Sequence, residues 1–135
     1  MAFFVWEDKY SVNVRQFDDE HKRLVALTDQ LYGAMKEGKG KQVLEGVLLE
    51  LVDYTKTHFA HEEKLMSQKN YAGYPVQKAA HDAFVNKVED ALRKFEAGNL
   101  SLSVDLFNFL KDWLVKHIQG EDRKYSQYFN GLGIN

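Results

Sequence analysis

The chain has no cysteine among its 135 residues, so disulfides and thiolate metal sites are both excluded. Proline occurs once and glycine nine times, so breaks in regular structure are few and readable. No run approaches the roughly 20 apolar residues needed to span a bilayer, and no membrane role is expected. The apolar start MAFFVW meets Glu7 and Asp8 too early for a signal peptide. There is no excess of either charge: 18 Lys and Arg face 20 Asp and Glu, interleaved along the chain. Without a basic block there is no nucleic-acid surface to expect. A soluble, monomeric, cytoplasmic protein in a reducing compartment is the expectation.

What is present is a 44% hydrophobic, 28% charged chain of a length that suits one domain over residues 1–135. Residues 1–17 form an aromatic-rich arm without clean periodicity. Asp18 or Asp19 is expected to cap a first helix carrying Leu24, Leu27, Leu31 and Met35, ending near Gly38 and Gly40. A second carries Leu44, Leu48, Leu51, Thr55, His58, Glu62 and Leu65 at spacings of three and four, and stops before NYAGYP. Pro75 suits the first turn of a third, with His81, Phe84, Val88, Leu92 and Phe95 in register. Ser101 or Ser103 can open a fourth with Phe107, Leu110, Leu114 and His117; Gly120 is expected to break it, leaving a short terminal turn or helix. Four helices with short links predict an all-α, up-down-up-down antiparallel bundle.

The second helix poses the chemical problem. At about 100° per residue, His58 lies near the centre of its apolar stripe, with Glu62 about 40° to one side and His61 about 60° to the other. His21, His81 and His117 also lie on apolar faces. One such histidine is most often a hydrogen-bonded core residue. Four on four helices, with an inward glutamate and no lysine or arginine on its stripe, demand more. A buried carboxylate without a partner costs several kcal/mol, and a metal removes the conflict. Histidine and carboxylate donors without cysteine favour iron, manganese or zinc. Two nitrogen–carboxylate pairs, His58 with Glu62 at i+4 and His117 with Asp122 at i+5, suggest two ions rather than one.

The strings FDDEH with His21, HFAHEEKLM with His58 and Glu62, HDAF with His81, and KHIQGED with His117 and Asp122 carry a resemblance. In this order and spacing the chain resembles the bacteriohemerythrins, single-domain prokaryotic members of the hemerythrin family, along essentially its whole length. Trp6 fits the family's usual opening. The resemblance implies a non-haem diiron centre, oxo- or hydroxo-bridged, that binds dioxygen reversibly for storage, delivery or sensing. It implies His21 and His58 on an iron with an open position, His81 and His117 on the other, and Glu62 and Asp122 as bridges. Leu24, Phe59, Trp113, Leu114 and Ile118 match the family's apolar dioxygen pocket; ordinary bundle packing is compatible with that role.

One position departs from the pattern. Where the family has a third histidine on the second iron, four residues before His81, this chain has Gln77. Three outcomes are open: Gln77 coordinates through its oxygen, hydrogen-bonds a water, or turns away. Each leaves a site nearer to two histidines per iron. The alternative function is therefore a diiron oxidase, peroxidase-like or nitric-oxide-handling enzyme on the same site. A signalling or metal-storage module and a metal-free structural bundle rank below it.

Overall fold

The computed structural model describes residues 3–98 and 104–135, and all its regular structure is helical, with no strand among them. The elements are α1 (Arg15–Lys36), α2 (Lys41–Gln68), α3 (Tyr74–Glu96), α4 (Val104–His117) and α5 (Arg123–Gly131), the last two joined by a π-helical turn at Ile118–Asp122. α1 through α4 form the expected four-helix bundle. α1 packs along both α2 and α4, α2 packs along α3, and Phe84 of α3 stacks on Trp113 of α4. The expected helix openings at Ser101 and Ser103 lie outside the described residues.

The bundle closes on the stripes that periodicity identifies. Leu24, Leu27 and Leu31 of α1, Leu48 and Leu51 of α2, Phe84, Val88 and Phe95 of α3, and Phe107, Leu110 and Leu114 of α4 are all buried. α1 ends where expected, because Gly38 takes a left-handed turn (φ 68°). Its N–H reaches the Met35 carbonyl and the Lys39 N–H reaches Ala34, which satisfies carbonyls the helix leaves open.

Two expected boundaries are corrected. α1 begins at Arg15, before Asp18 and Asp19, with Val14 as a cap residue that makes no side-chain cap bond. Asp18 serves the arm instead: its carboxylate accepts from the Val12 N–H at 2.8 Å and the Ser11 hydroxyl at 2.6 Å. That contact fixes an arm whose Phe4, Tyr10, Val12 and Val14 are buried. The second correction is at Gly120, which does not break the helix. The backbone widens into the π turn and runs on into α5, whose Tyr125 and Phe129 are fully buried against the bundle. The widening matters, because residues five apart in a regular α-helix point about 140° away from each other. Here it brings Asp122 round to His117, 3.1 Å between Oδ1 and Nε2.

Candidate metal centre

Each of the four bundle helices sends an imidazole to one level of the core. His21 comes from α1, His58 from α2, His81 from α3 and His117 from the end of α4, all buried. Glu62, one turn along α2 from His58, is fully buried among them, as is Asp122 from the π turn. Glu62 Oε1 lies 3.2 Å from His58 Nε2 and 3.4 Å from His81 Nε2, while Oε2 lies 3.4 Å from His21 Nε2. Asp122 Oδ2 lies 3.1 Å from His21 Nε2. The donors sort into two groups, each with ligand atoms within 4.8 Å of one another: His21, His58, Glu62 and Asp122, and then His81, His117 and Asp122. Asp122 belongs to both.

Two of the outer nitrogens are tied down by carboxylates. His58 Nδ1 is 2.6 Å from Glu20 Oε1, and His81 Nδ1 is 2.9 Å from Glu63 Oε2. With Nδ1 donating, the neutral ring turns a lone pair inward at Nε2. His58 Nε2 and Glu62 Oε1 are then two facing acceptors, and neither has a hydrogen bond. His21 Nε2 is also without one, since its contacts with Asp122 and Glu62 lie off the hydrogen-bonding direction. A cluster of inward acceptors needs protons or cations between them. The donor set fits a metal, since a cation satisfies these atoms together.

Protonation compensates the carboxylates in the chain alone. Burial pushes the His58 imidazole down, but the charge of Glu62 and the bond to Glu20 prevail and raise it to about 10. Burial and the neighbouring His58 oppose protonation of His21, yet Asp122 and Glu62 hold it above its ordinary value. His117 is raised by Asp122 against burial, whereas burial keeps His81 low. Against their own burial, His58 and His21 hold Glu62 well below the usual carboxylate range. Asp122 is lowered by His117 and His21, although burial and Glu62 resist. Such protons stand where metal charge would be.

Gln77 is 1% exposed on the first turn of α3 and joins the cluster. Its Nε2 donates to Asp122 Oδ1 at 2.9 Å, and its Oε1 is buried without a partner. The donor side must face Asp122, because two acceptor oxygens at that distance repel. Around the donors, Leu24, Phe59, Leu114 and Ile118 are buried and Trp113 is half-buried. Phe59 lies flat on His81 and Trp113 flat on His117, with ring centres 3.7 and 4.3 Å apart. A groove of about 430 Å³ between α2 and α3 opens beside Phe59, Glu63 and His81.

A model of the hemerythrin HHE cation-binding domain matches residues 12–129. The chain belongs to the hemerythrin family. It is 35% identical over 127 residues to a bacteriohemerythrin of Methylococcus capsulatus, covering 93% of this chain and 95% of that one. A bacteriohemerythrin of Stenotrophomonas maltophilia is 34% identical over 93% of this chain and 81% of its own length. A crystal structure of wild-type hemerythrin superposes with a TM-score of 0.88 at 33% identity, covering 93% of this chain and 97% of the other. The cofactor of a hemerythrin is a non-haem diiron centre, and the His–Glu–Asp cluster is able to hold it.

Three members of the site escape sequence reasoning. Glu20 and Glu63 hold the outer nitrogens of His58 and His81, and Tyr125 donates its hydroxyl to Glu62 Oε2 at 2.5 Å. The only hint of the first two is their position directly beside His21 and Glu62 in FDDEH and HEEK. Tyr125 lies beyond Gly120, in a segment the sequence leaves as a terminal turn or short helix. His61 sits at the edge as expected, 44% exposed, with its Nδ1 2.6 Å from Glu20 Oε2.

Proposed function

We propose that this hemerythrin-family chain binds dioxygen reversibly at a carboxylate-bridged diiron centre, acting as one domain over residues 1–135, a monomer in the cytoplasm. The observation that carries the reading is the pair of donor groups sharing Asp122, with inward acceptor atoms that lack hydrogen bonds. His21 and His58 would hold one iron, with a position left open. His81 and His117 would hold the other, with Gln77 in the place of a third histidine. Glu62 and Asp122 would bridge, each carrying one negative charge. When bound, the two irons supply the electrons that dioxygen takes up and returns. The protein's part is to orient and to exclude. Glu20 and Glu63 fix the tautomers of His58 and His81, the Tyr125 hydroxyl fixes Glu62, and Leu24, Phe59, Leu114 and Ile118 keep water away. Titrating the anaerobic diferrous protein with dioxygen and then removing the gas tests this. An optical spectrum that forms and reverses supports the carrier; irreversible oxidation counts against it.

Gln77 favours a second reading. An amide is a poorer iron donor than an imidazole, so the second iron would keep an exchangeable position. That suits an oxidase, a peroxidase-like enzyme or a nitric-oxide-handling enzyme. Sustained turnover with peroxide or nitric oxide and a reductant would favour it over carriage.

A further inference from the structure

We infer that Trp113 is an electron port, through which the centre draws single electrons from small reductants at the surface. The inference rests on the diiron reading above and adds a peroxide-driven oxidation to it. His81 and His117 stand in the middle of a stack of rings. Phe59 lies on His81 with centroids 3.7 Å apart, His81 meets His117 at 5.1 Å, and Trp113 lies on His117 at 4.3 Å with planes 11° apart. Phe84 stacks on Trp113 in turn, at 4.1 Å. Of these rings only the indole gives up an electron readily; phenyl and imidazole rings are far harder to oxidise. The indole is one ring contact from His117, whose Nε2 faces the centre.

Burial decides between Trp113 and the other oxidisable ring at the site. Tyr125 is fully buried, and its hydroxyl proton has only Glu62 to go to. Glu62 is itself fully buried, so that proton would stay in the core. Trp113 is half-buried, within reach of water. A radical formed there can lose its proton and meet a reductant, and no reductant need enter the core.

The electron balance closes with two named reactants. Hydrogen peroxide takes up two electrons and two protons and its O–O bond breaks, giving two waters. Trp113 supplies the electrons one at a time, across His117, and each time its ring N–H proton passes to water. A reductant of the ascorbate class then returns one hydrogen atom to the indolyl radical. Two cycles consume one peroxide and leave the indole unchanged.

Rapid-freeze electron paramagnetic resonance tests this on the iron-loaded full chain mixed with hydrogen peroxide. The chain is labelled with ring-deuterated tryptophan in one preparation and ring-deuterated tyrosine in another. The expected radical narrows with the tryptophan label only, persists in Trp6→Phe and vanishes in Trp113→Phe at matched iron content. Ascorbate should quench it, with one ascorbate consumed per peroxide once its own radicals disproportionate, and Trp113→Phe should lose that oxidation. Should Trp113→Phe fail to fold, labelling of the natural chain and of Trp6→Phe still decides. A tyrosine-labelled radical, a radical surviving in Trp113→Phe, or peroxide consumed without a radical by a chain holding two irons overturns the port and leaves the diiron reading standing. A chain that binds no iron overturns both.

Discussion

Gln77 gives its side-chain N–H to Asp122 and leaves its own carbonyl oxygen buried with no partner. A buried amide oxygen without a hydrogen bond costs stability, and a partner able to take its lone pair would remove that cost. Within a cluster of metal donors, a cation is the natural candidate.

That relationship makes Gln77→His the most informative substitution. An imidazole from the same position on α3 projects in the same direction and offers a stronger donor nitrogen. Iron loss to an external chelator should slow, and so should autoxidation, while the helical circular dichroism stays unchanged. Equal rates of iron loss at matched loading would mean that the side chain does not serve the metal.

The bridging role proposed for Glu62 leads to a second expectation. Glu62→Ala removes a fully buried carboxylate and leaves positive charge and imidazole lone pairs uncompensated. The variant should purify with clearly fewer than two irons per chain, measured by metal analysis against protein concentration. Full iron content would remove Glu62 from the ligand set.

Much of this site is legible in the sequence because inward residues on a helix obey a fixed angle. His58 and Glu62 stand on the stripe with Leu48 and Leu51, and the four histidines lie on apolar faces of four helices, which is enough to point to a shared compensating charge. The supporting groups do not obey that rule. Glu20 belongs to α1 but acts on His58 of α2, a relationship set by how two helices pack, and periodicity within one helix cannot carry it. The same holds for Glu63 with His81. Gly120 misleads for another reason. Glycine weakens a helix by roughly 1 kcal/mol, and the burial of Tyr125, Ser126 and Phe129 beyond it offsets that. The left-handed Gly38, by contrast, ends α1 where the sequence places it, because no packing competes there.

Leu114 is 2% exposed, one turn before His117. Leu114→Ala should open space for water beside the donors and accelerate autoxidation, read as the decay of the oxygenated optical spectrum. Its cost in stability should be roughly 2–5 kcal/mol, since a buried leucine is replaced by a cavity. An unchanged decay rate with iron intact would leave Leu114 as packing alone.

The last expectation concerns pH, where iron-free and iron-loaded protein should diverge. In the iron-free chain His58 titrates near 10 rather than at its ordinary 6.5, because Glu62 and Glu20 outweigh its burial. A group whose folded value is raised stabilises the fold fully below its unfolded value, and that contribution is lost as pH climbs through the folded one. The iron-free protein should therefore become less stable between about pH 6.5 and 10, with His21 and His117 contributing in the same direction. Glu62 and Asp122 are lowered, so their contribution is lost only in acid. Metal reverses the alkaline trend, since it needs the same imidazoles without their protons and binds better as they leave. Urea unfolding at pH 6.5 and pH 9 should show the iron-free midpoint falling and the gap between iron-loaded and iron-free protein widening. An iron-free midpoint that rises over this range would mean that the buried imidazoles are not charged, and that the carboxylates are compensated in some other way.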